Sequence, residues 1–323
     1  MDRKGTLRLV FIGASKFGLR CLKLVLGVPN IRVVGVVTSE QSFKISYAPL
    51  GVINLLHADF ESTAKENDLP LLCLKDSMSE PSLLSRIKAF KPDLFLVVGW
   101  YHMIPRTWRE LAPAFGLHAS LLPDYRGGAP LVWAMINGEK ETGITLFQMD
   151  NGVDSGPIAA QAHEPIRPDD TIATLYKRIE EHGLEIISRT LPLLAAGGLV
   201  LKPQPKSGRG VMPQRSPEDG CIDWNRDAGF IDRWIRAQTR PYPGAFTETS
   251  IGRMTIWASR SLLERPVNAI AGLAFETSSG GFGVACGSGS LQVMDWSLPT
   301  TSNGSETGYC IMDLVGTVLG GSD

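Results

Sequence analysis

Residues 7–27 read LRLVFIGASKFGLRCLKLVLG. An apolar run, Leu7–Ile12, broken only by Arg8, stops at Gly13, and Phe17, Cys21, Leu24 and Leu26 then recur at helical spacing. A strand, a tight turn and a helix are the reading, because no single period accommodates both halves. The same grammar repeats outward. IRVVGVVT (residues 31–38) and DLFLVVGW (93–100) are two further runs without polar alternation. Strands this uniformly apolar belong to a sheet covered by helices on both faces, usually a parallel one. Between them ADFESTAKEN (58–67) and SEPSLLSRIKAF (79–90) have helical character, the second opened by Ser79 with Pro81 in its first turn. Strands alternating with helices predict a doubly wound, mostly parallel α/β domain.

The densest run of Gly, Pro and polar residues beside apolar segments is 116–158, GLHASLLPDYRGGAPLVWAMINGEKETGITLFQMDNGVDSGPI. In open α/β sheets ligands sit at the carboxyl ends of strands, so the active site is expected here. Asp169 or Asp170 then caps an amphipathic helix that ends at Gly197 or Gly198. It closes a first domain over 1–201. Residues 202–220, rich in Pro, Gly and charge, read as a linker, and 221–323 as a smaller domain with one helix near 226–238 and short strands, β-barrel-like (OB-like) in pattern.

Composition narrows the function. With 323 residues, at about 150 per domain, and 43% hydrophobic content, the chain can bury a core unaided. No apolar run reaches the roughly 18 residues of a membrane span, and the charged start MDRK lacks the features of a secretory signal, so a cytoplasmic protein is expected. Five dispersed cysteines without a C-x-x-C pair predict reduced, mostly buried thiols and no metal site. Thirty-two basic against 33 acidic residues leave a net charge of −1, which disfavours DNA and, less strongly, tRNA, because phosphate neutralisation supplies most nucleic-acid affinity. One acid-free basic run, containing Lys202, Lys206, Arg209 and Arg215, reads as a solvated loop. The turn GASKFG (13–18) is neither a dinucleotide fingerprint nor a phosphate loop, and reads as a strand-to-helix turn.

Five histidines occur, and His118 stands out, at the end of the Phe115–Leu117 run and 36 residues before Asp154 in a second glycine-flanked loop. An imidazole held by a carboxylate is the common general acid/base pair. Spacing alone leaves open a structural histidine and a turn aspartate bonding its own loop.

The stretch HASLLPDYRGGAPLVWAMINGEKETGITLFQMDNGVDSGPI resembles the signature of folate-dependent formyltransferases, a family that includes methionyl-tRNA and amino-sugar N-formyltransferases. CIDWNRDAGFIDRWIRAQTRPYPGAFTE (221–248) is similar to the opening of their carboxyl-terminal domain. The resemblance implies transfer of a formyl group from 10-formyltetrahydrofolate to an amine, with His118 and Asp154 as catalytic residues. It implies a pterin slot from Val98, Gly99, Trp100, Tyr101, Met103 and Ile104, from the loop Ser120, Leu121, Leu122, Pro123, and from Asp150, Asn151 and Gly152. Tyr125, Arg126 and Gly127 would face the acceptor, Arg126 as an anion contact or in a structural ion pair.

One position departs from the family pattern Asn-x-His-x-Ser: here Gly116 stands two residues before His118. Losing an oxyanion donor typically costs about 10²–10³ in rate. A side chain such as Asn151 or a water could replace it, the site could suit another acceptor, or the protein could bind formylfolate, or hydrolyse it, with little transfer. The methionyl-tRNA enzymes carry a basic insertion after the second strand, whereas residues 39–60 hold one lysine and no arginine. The expected acceptor is therefore a small amine, first a nucleotide-linked amino sugar, with methionyl-tRNA as the alternative.

Overall fold

The computed structural model describes residues 6–45, 48–75, 77–206, 208–298 and 310–320. Ser46 and Tyr47 of the 39–60 stretch and Ser207 of the 202–220 segment lie outside them. The described residues form two compact units, one from Met1–Gly127, Thr142–Pro165 and Lys177–Met212, the other from Gly128–Glu141, Ile166–Tyr176 and Pro213–Asp323.

The first unit is built on β1 (Leu7–Ile12), α1 (Lys16–Val25), β2 (Ile31–Ser39), a hairpin of β3 (Ser42–Ile45) and β4 (Ala48–Ile53), α2 (Phe60–Glu66), β5 (Leu71–Leu74), α3 (Pro81–Ala89), β6 (Leu94–Val97), α4 (Arg106–Arg109) and β7 (Ala114–His118). After α5 (Pro130–Ile136) come β8 (Glu141–Gln148), β9 (Ile158–Pro165) and α6 (Ile172–Ala195). Seven strands form one sheet in the order β5-β2-β1-β6-β7-β8-β9. β5, β2, β1, β6 and β7 are parallel, and β8 returns antiparallel to β7. Every residue of β6 is buried, as are Leu9–Ile12 of β1, which is the two-sided cover that their apolar runs imply.

The chain builds outward from β1 in both directions, through β2 to β5 on one side and through β6 to β7 on the other. The carboxyl ends of β1 and β6 therefore form a topological switch point, the usual ligand crevice of such sheets. The backbones crowd there: Gly99 has φ +61°, and a Cβ on it would lie 1.9 Å from Ser15 Oγ. Ser15 itself caps α1 by accepting the Gly18 N–H.

Several local expectations shift. The buried face of α1 is Phe17, Gly18, Cys21, Leu22 and Val25 rather than the Leu24 and Leu26 stripe. The apolar run at 93–100 is the fourth strand of the sheet in chain order, because the four-residue β5 precedes it. The N-cap of α3 is Glu80, not Ser79, while Pro81 takes the first helical position. Thr171, not an aspartate, caps α6 by accepting the Thr174 N–H, and Asp170 braces the preceding turn through the Arg167 N–H and the Thr174 hydroxyl. That helix ends as read: Gly197 has φ +71°, and the Gly197 and Gly198 N–H groups close on Leu194 and Leu193.

In the second unit α7 (Ala228–Gln238) is capped by Asp227 and packs on α5 and on an antiparallel sheet ordered β10 (Ala245–Thr247), β11 (Met254–Leu262), β14 (Ser290–Ser297), β13 (Phe282–Ala285), β12 (Ala274–Glu276). Its core gathers Trp224, Ile231, Ile235, Met254, Ile256, Phe282 and Leu291. Arg215 lies between the Trp133 and Trp234 rings, 4.9 Å from each centroid. All five cysteines are free; only Cys21 and Cys286 are buried, and Cys73, Cys221 and Cys310 are exposed, contrary to the expectation of mostly buried thiols. Among the described residues no helix is long and apolar enough to cross a membrane.

Candidate active site

His118 is the last residue of β7, level with Thr145 of β8. Its Nε2 lies 2.8 Å from the Tyr125 carbonyl, which can only accept, so Nε2 carries a proton. Its Nδ1 lies 3.5 Å from Asp154 Oδ2, and the two side chains are 11% and 23% exposed. With Nε2 protonated, a neutral ring would turn its Nδ1 lone pair toward the carboxylate. The pair thus sets one imidazole nitrogen at a fixed place facing a carboxylate oxygen.

Both supporting loops are held in unusual backbone conformations. Tyr125 has φ +55° and Asp154 φ +48°, the left-handed region that a non-glycine residue occupies only when its surroundings impose it. Asp154 Oδ2 also accepts the Gly127 N–H at 2.9 Å, while its carbonyl and that of Gly156 both accept from Gln204 Nε2 at 2.8 Å. Asp150 Oδ1 accepts the Gly152 N–H and the Ser155 hydroxyl, shaping the loop from within. On the other side Ser120 Oγ donates to the Asp124 carbonyl, Thr145 Oγ1 donates to the Ser120 carbonyl, and Gln161 donates to the Leu122 carbonyl. Leu122 is buried, Leu121 half-buried, and the Leu122–Pro123 bond is cis.

The remaining predicted residues fall into two groups. Arg126 and Gly127 stand beside the pair, and Arg126 Nε is buried without a hydrogen-bond partner. The segment after β6 lies at the switch point. Val98 is buried, Trp100 donates its indole N–H to Met78 Sδ at 3.3 Å, and the Tyr101 hydroxyl donates to Asn54 Oδ1 at 3.0 Å. Met103 is exposed, and Ile104 belongs to the core beneath. His102 sits with its ring centroid 5.2 Å from Phe43 and 5.3 Å from Trp100; its Nε2 is buried without a partner, and burial lowers the imidazole pKa. Asn151 is exposed and accepts from Arg109 Nη2 at 2.9 Å. Gly116 faces Met149, whose terminal methyl is 2.5 Å from where a Cβ would stand. Among the described residues no group of three or more His, Cys, Asp or Glu side chains could hold a metal. Sequence reasoning did not single out Gln204, whose only signal was its place in a polar, proline-flanked segment.

The first unit is thus an α/β sheet with a histidine–aspartate pair at the carboxyl end of β7, and the second is built on an antiparallel sheet. Residues 9–191 match the formyl transferase family model and residues 215–302 that of the formyl transferase C-terminal domain, and the chain belongs to the formyl transferase family. Solved structures share the fold. HypX from Aquifex aeolicus in complex with tetrahydrofolic acid is 17% identical with a TM-score of 0.59; the match covers 92% of this chain and 45% of that one, so this chain spans less than half of it. A sugar N-formyltransferase from a Shewanella species is 17% identical with a TM-score of 0.62, over 80% of this chain and 100% of that one. Methionyl-tRNA formyltransferase from Clostridium thermocellum is 19% identical with a TM-score of 0.53, over 80% and 95%.

Proposed function

We propose that this protein moves the formyl group of 10-formyltetrahydrofolate to the primary amine of a small acceptor, a nucleotide-linked amino sugar first. The observation that carries the reading is the His118–Asp154 pair, with one imidazole nitrogen committed to a carbonyl and the other facing a carboxylate. When bound, the folate supplies an activated formyl group. An amine attacks only as its neutral form, and the new bond to the formyl carbon replaces that carbon's bond to the folate nitrogen; Asp154 and His118 Nδ1 together offer a place for the proton the amine gives up, which the departing folate nitrogen would take up, and Tyr125 keeps the ring from rotating.

The chain's residues fit a folate. Its pterin is a flat heteroaromatic with a hydrogen-bonding edge, and such rings suit apolar slots with few polar groups. Val98–Ile104, Ser120–Pro123 and Asp150–Gly152 would line the slot, and the partnerless His102 Nε2 beside Phe43 and Trp100 offers a polar group between aromatic walls. Arg126, with its buried Nε unpaired, would hold an anionic part of the acceptor near Tyr125 and Gly127. In this reading residues 1–201 carry the chemistry, 202–220 link, and 221–323 form the smaller domain. The acceptor choice is supported by the sugar N-formyltransferase fold match and by the single lysine in residues 39–60.

The test is mass-spectrometric turnover with 10-formyltetrahydrofolate and no acceptor, pooled nucleotide-linked amino sugars, or charged initiator tRNA. A formylated sugar, absent with His118→Ala and Asp154→Ala, is the expected result. Formylated tRNA would replace the acceptor assignment, and folate release in the acceptor-free arm alone would make the protein a hydrolase.

A further inference from the structure

We propose that Gln204 is a positioning residue for the transfer step, acting through Asp154; the proposal rests on the formyl-transfer reading. The segment from Lys202 to Met212 has the composition of a linker, yet both of its ends are bonded to the loops that hold the catalytic pair. Lys202 exchanges two backbone hydrogen bonds with Ile158, at 2.7 and 2.8 Å. Two residues on, the Gln204 amide spends both protons on Asp154 and Gly156 carbonyls. At the other end, the Arg209 N–H donates to Asp124 Oδ1 at 2.8 Å, and the Met212 N–H donates to the Arg126 carbonyl at 2.7 Å.

The segment therefore staples the loop that supplies the Tyr125 carbonyl to the loop that supplies Asp154. His118 contacts both, one through each ring nitrogen, so the staple sets the 3.5 Å separation between Nδ1 and Oδ2. Asp154 sits in the left-handed region, which aspartate visits more readily than most side chains but at a cost, and the two hydrogen bonds from Gln204 hold its peptide there. Gln204 is not placed for its own satisfaction: its Oε1 is buried without a protein partner. What the site keeps is a two-proton donor aimed at two carbonyls, and only glutamine, asparagine, lysine or arginine supplies one. Asparagine is one methylene shorter.

The experiment uses the full chain with His-selective ¹⁵N labelling. Gln204→Ala is expected to lower kcat by roughly 10- to 100-fold, the scale of an ångström-level misplacement, with KM for 10-formyltetrahydrofolate within about twofold. The His118 ring resonances should shift. Gln204→Lys, which keeps a donor for the carbonyls and removes Oε1, should restore most of kcat and the parent His118 spectrum; it also serves if the alanine variant does not fold. Unchanged His118 resonances in Gln204→Ala, or failure of the lysine variant to restore them, would overturn the proposal. So would a rise in acceptor KM at constant kcat in both variants, which would make Gln204 a substrate contact. The spectrum reads the staple without turnover, so absence of any formylated acceptor would count against the functional reading alone.

Discussion

Met149 and Gly116 fill one another's space: the Met149 Cε lies 2.5 Å from the position of a Cβ on Gly116, and Phe147 Cε1 lies 3.4 Å away. A thioether methyl thus stands where a side chain two residues before His118 would project, and it brings no N–H donor. Restoring an amide at this place requires the flexible end of Met149 to turn aside. Gly116→Asn alone should cost about 1 kcal/mol, the low end for overpacking, because a methionine terminus can change rotamer, read as a lowered denaturation midpoint. Gly116→Asn with Met149→Ala should recover part of that loss and raise the transfer rate, by up to roughly 10²-fold if the new amide reaches the formyl oxygen. A single variant as stable as the parent would show that Met149 swings away freely.

The His118–Asp154 pair acts as a unit if one proton is held between its members. His118→Ala and Asp154→Asn should each lower kcat by roughly 10²–10⁴, and the double variant should be little worse than the poorer single one, because removing either member already removes the proton's site. Asp154→Asn tolerates the left-handed backbone at φ +48°, so its thermal midpoint should stay close to that of the parent. Multiplicative losses in the double variant would mean that the two residues act on separate steps.

These assignments were unequally legible in the sequence. The β1–α1 junction was clear because Leu7–Ile12 is apolar but for Arg8 and the next stretch has helical spacing. β5, with four residues, and the β3–β4 hairpin fall below the length at which periodicity separates strand from loop. His118 ends β7 and Asp154 lies in the loop after β8, 36 residues on with α5 between the two strands, and spacing alone could not pair them. Asn151 was a candidate for the missing amide; Arg109, 42 residues away, donates to its carbonyl oxygen, a bond no local pattern announces and one that leaves aside the amide N–H groups an oxyanion would need. Composition describes Lys202–Met212 well as polar and proline-rich; it is silent on hydrogen bonds to partners about 50 and 85 residues away, whose spacing the structure puts at 50 for Gln204 to Asp154 and 85 for Arg209 to Asp124.

The thiols separate by burial. Burial raises the pKa of Cys21 far beyond the usual thiol range and pushes Cys286 up to about 12, so both are inert in the native protein. Cys221 and Cys310 are exposed, and Cys73 is exposed with a pKa raised by partial burial. Titration with a chromogenic disulfide near neutral pH should release three equivalents before unfolding, Cys73 most slowly, and two more in denaturant. Five fast equivalents would contradict the burial of Cys21 on the inner face of α1.

Glu164 supplies a pH dependence whose sign can be worked out. Burial pushes its carboxyl upward, but hydrogen bonds from Arg178 Nε at 2.5 Å and His182 Nε2 at 2.8 Å outweigh that and hold it below the usual carboxylate range. A carboxyl depressed on folding stabilises the folded state fully above its unfolded pKa, and the contribution is lost as pH falls through the lower folded value. Glu164→Gln should therefore be less stable than the parent at about pH 7, with the gap narrowing as pH falls below about 4, where the unfolded carboxyl protonates. Urea midpoints across that range read it directly. A gap of constant size would show that the glutamine loses shape complementarity rather than charge, and that Arg178 and His182 do not hold the carboxylate ionised.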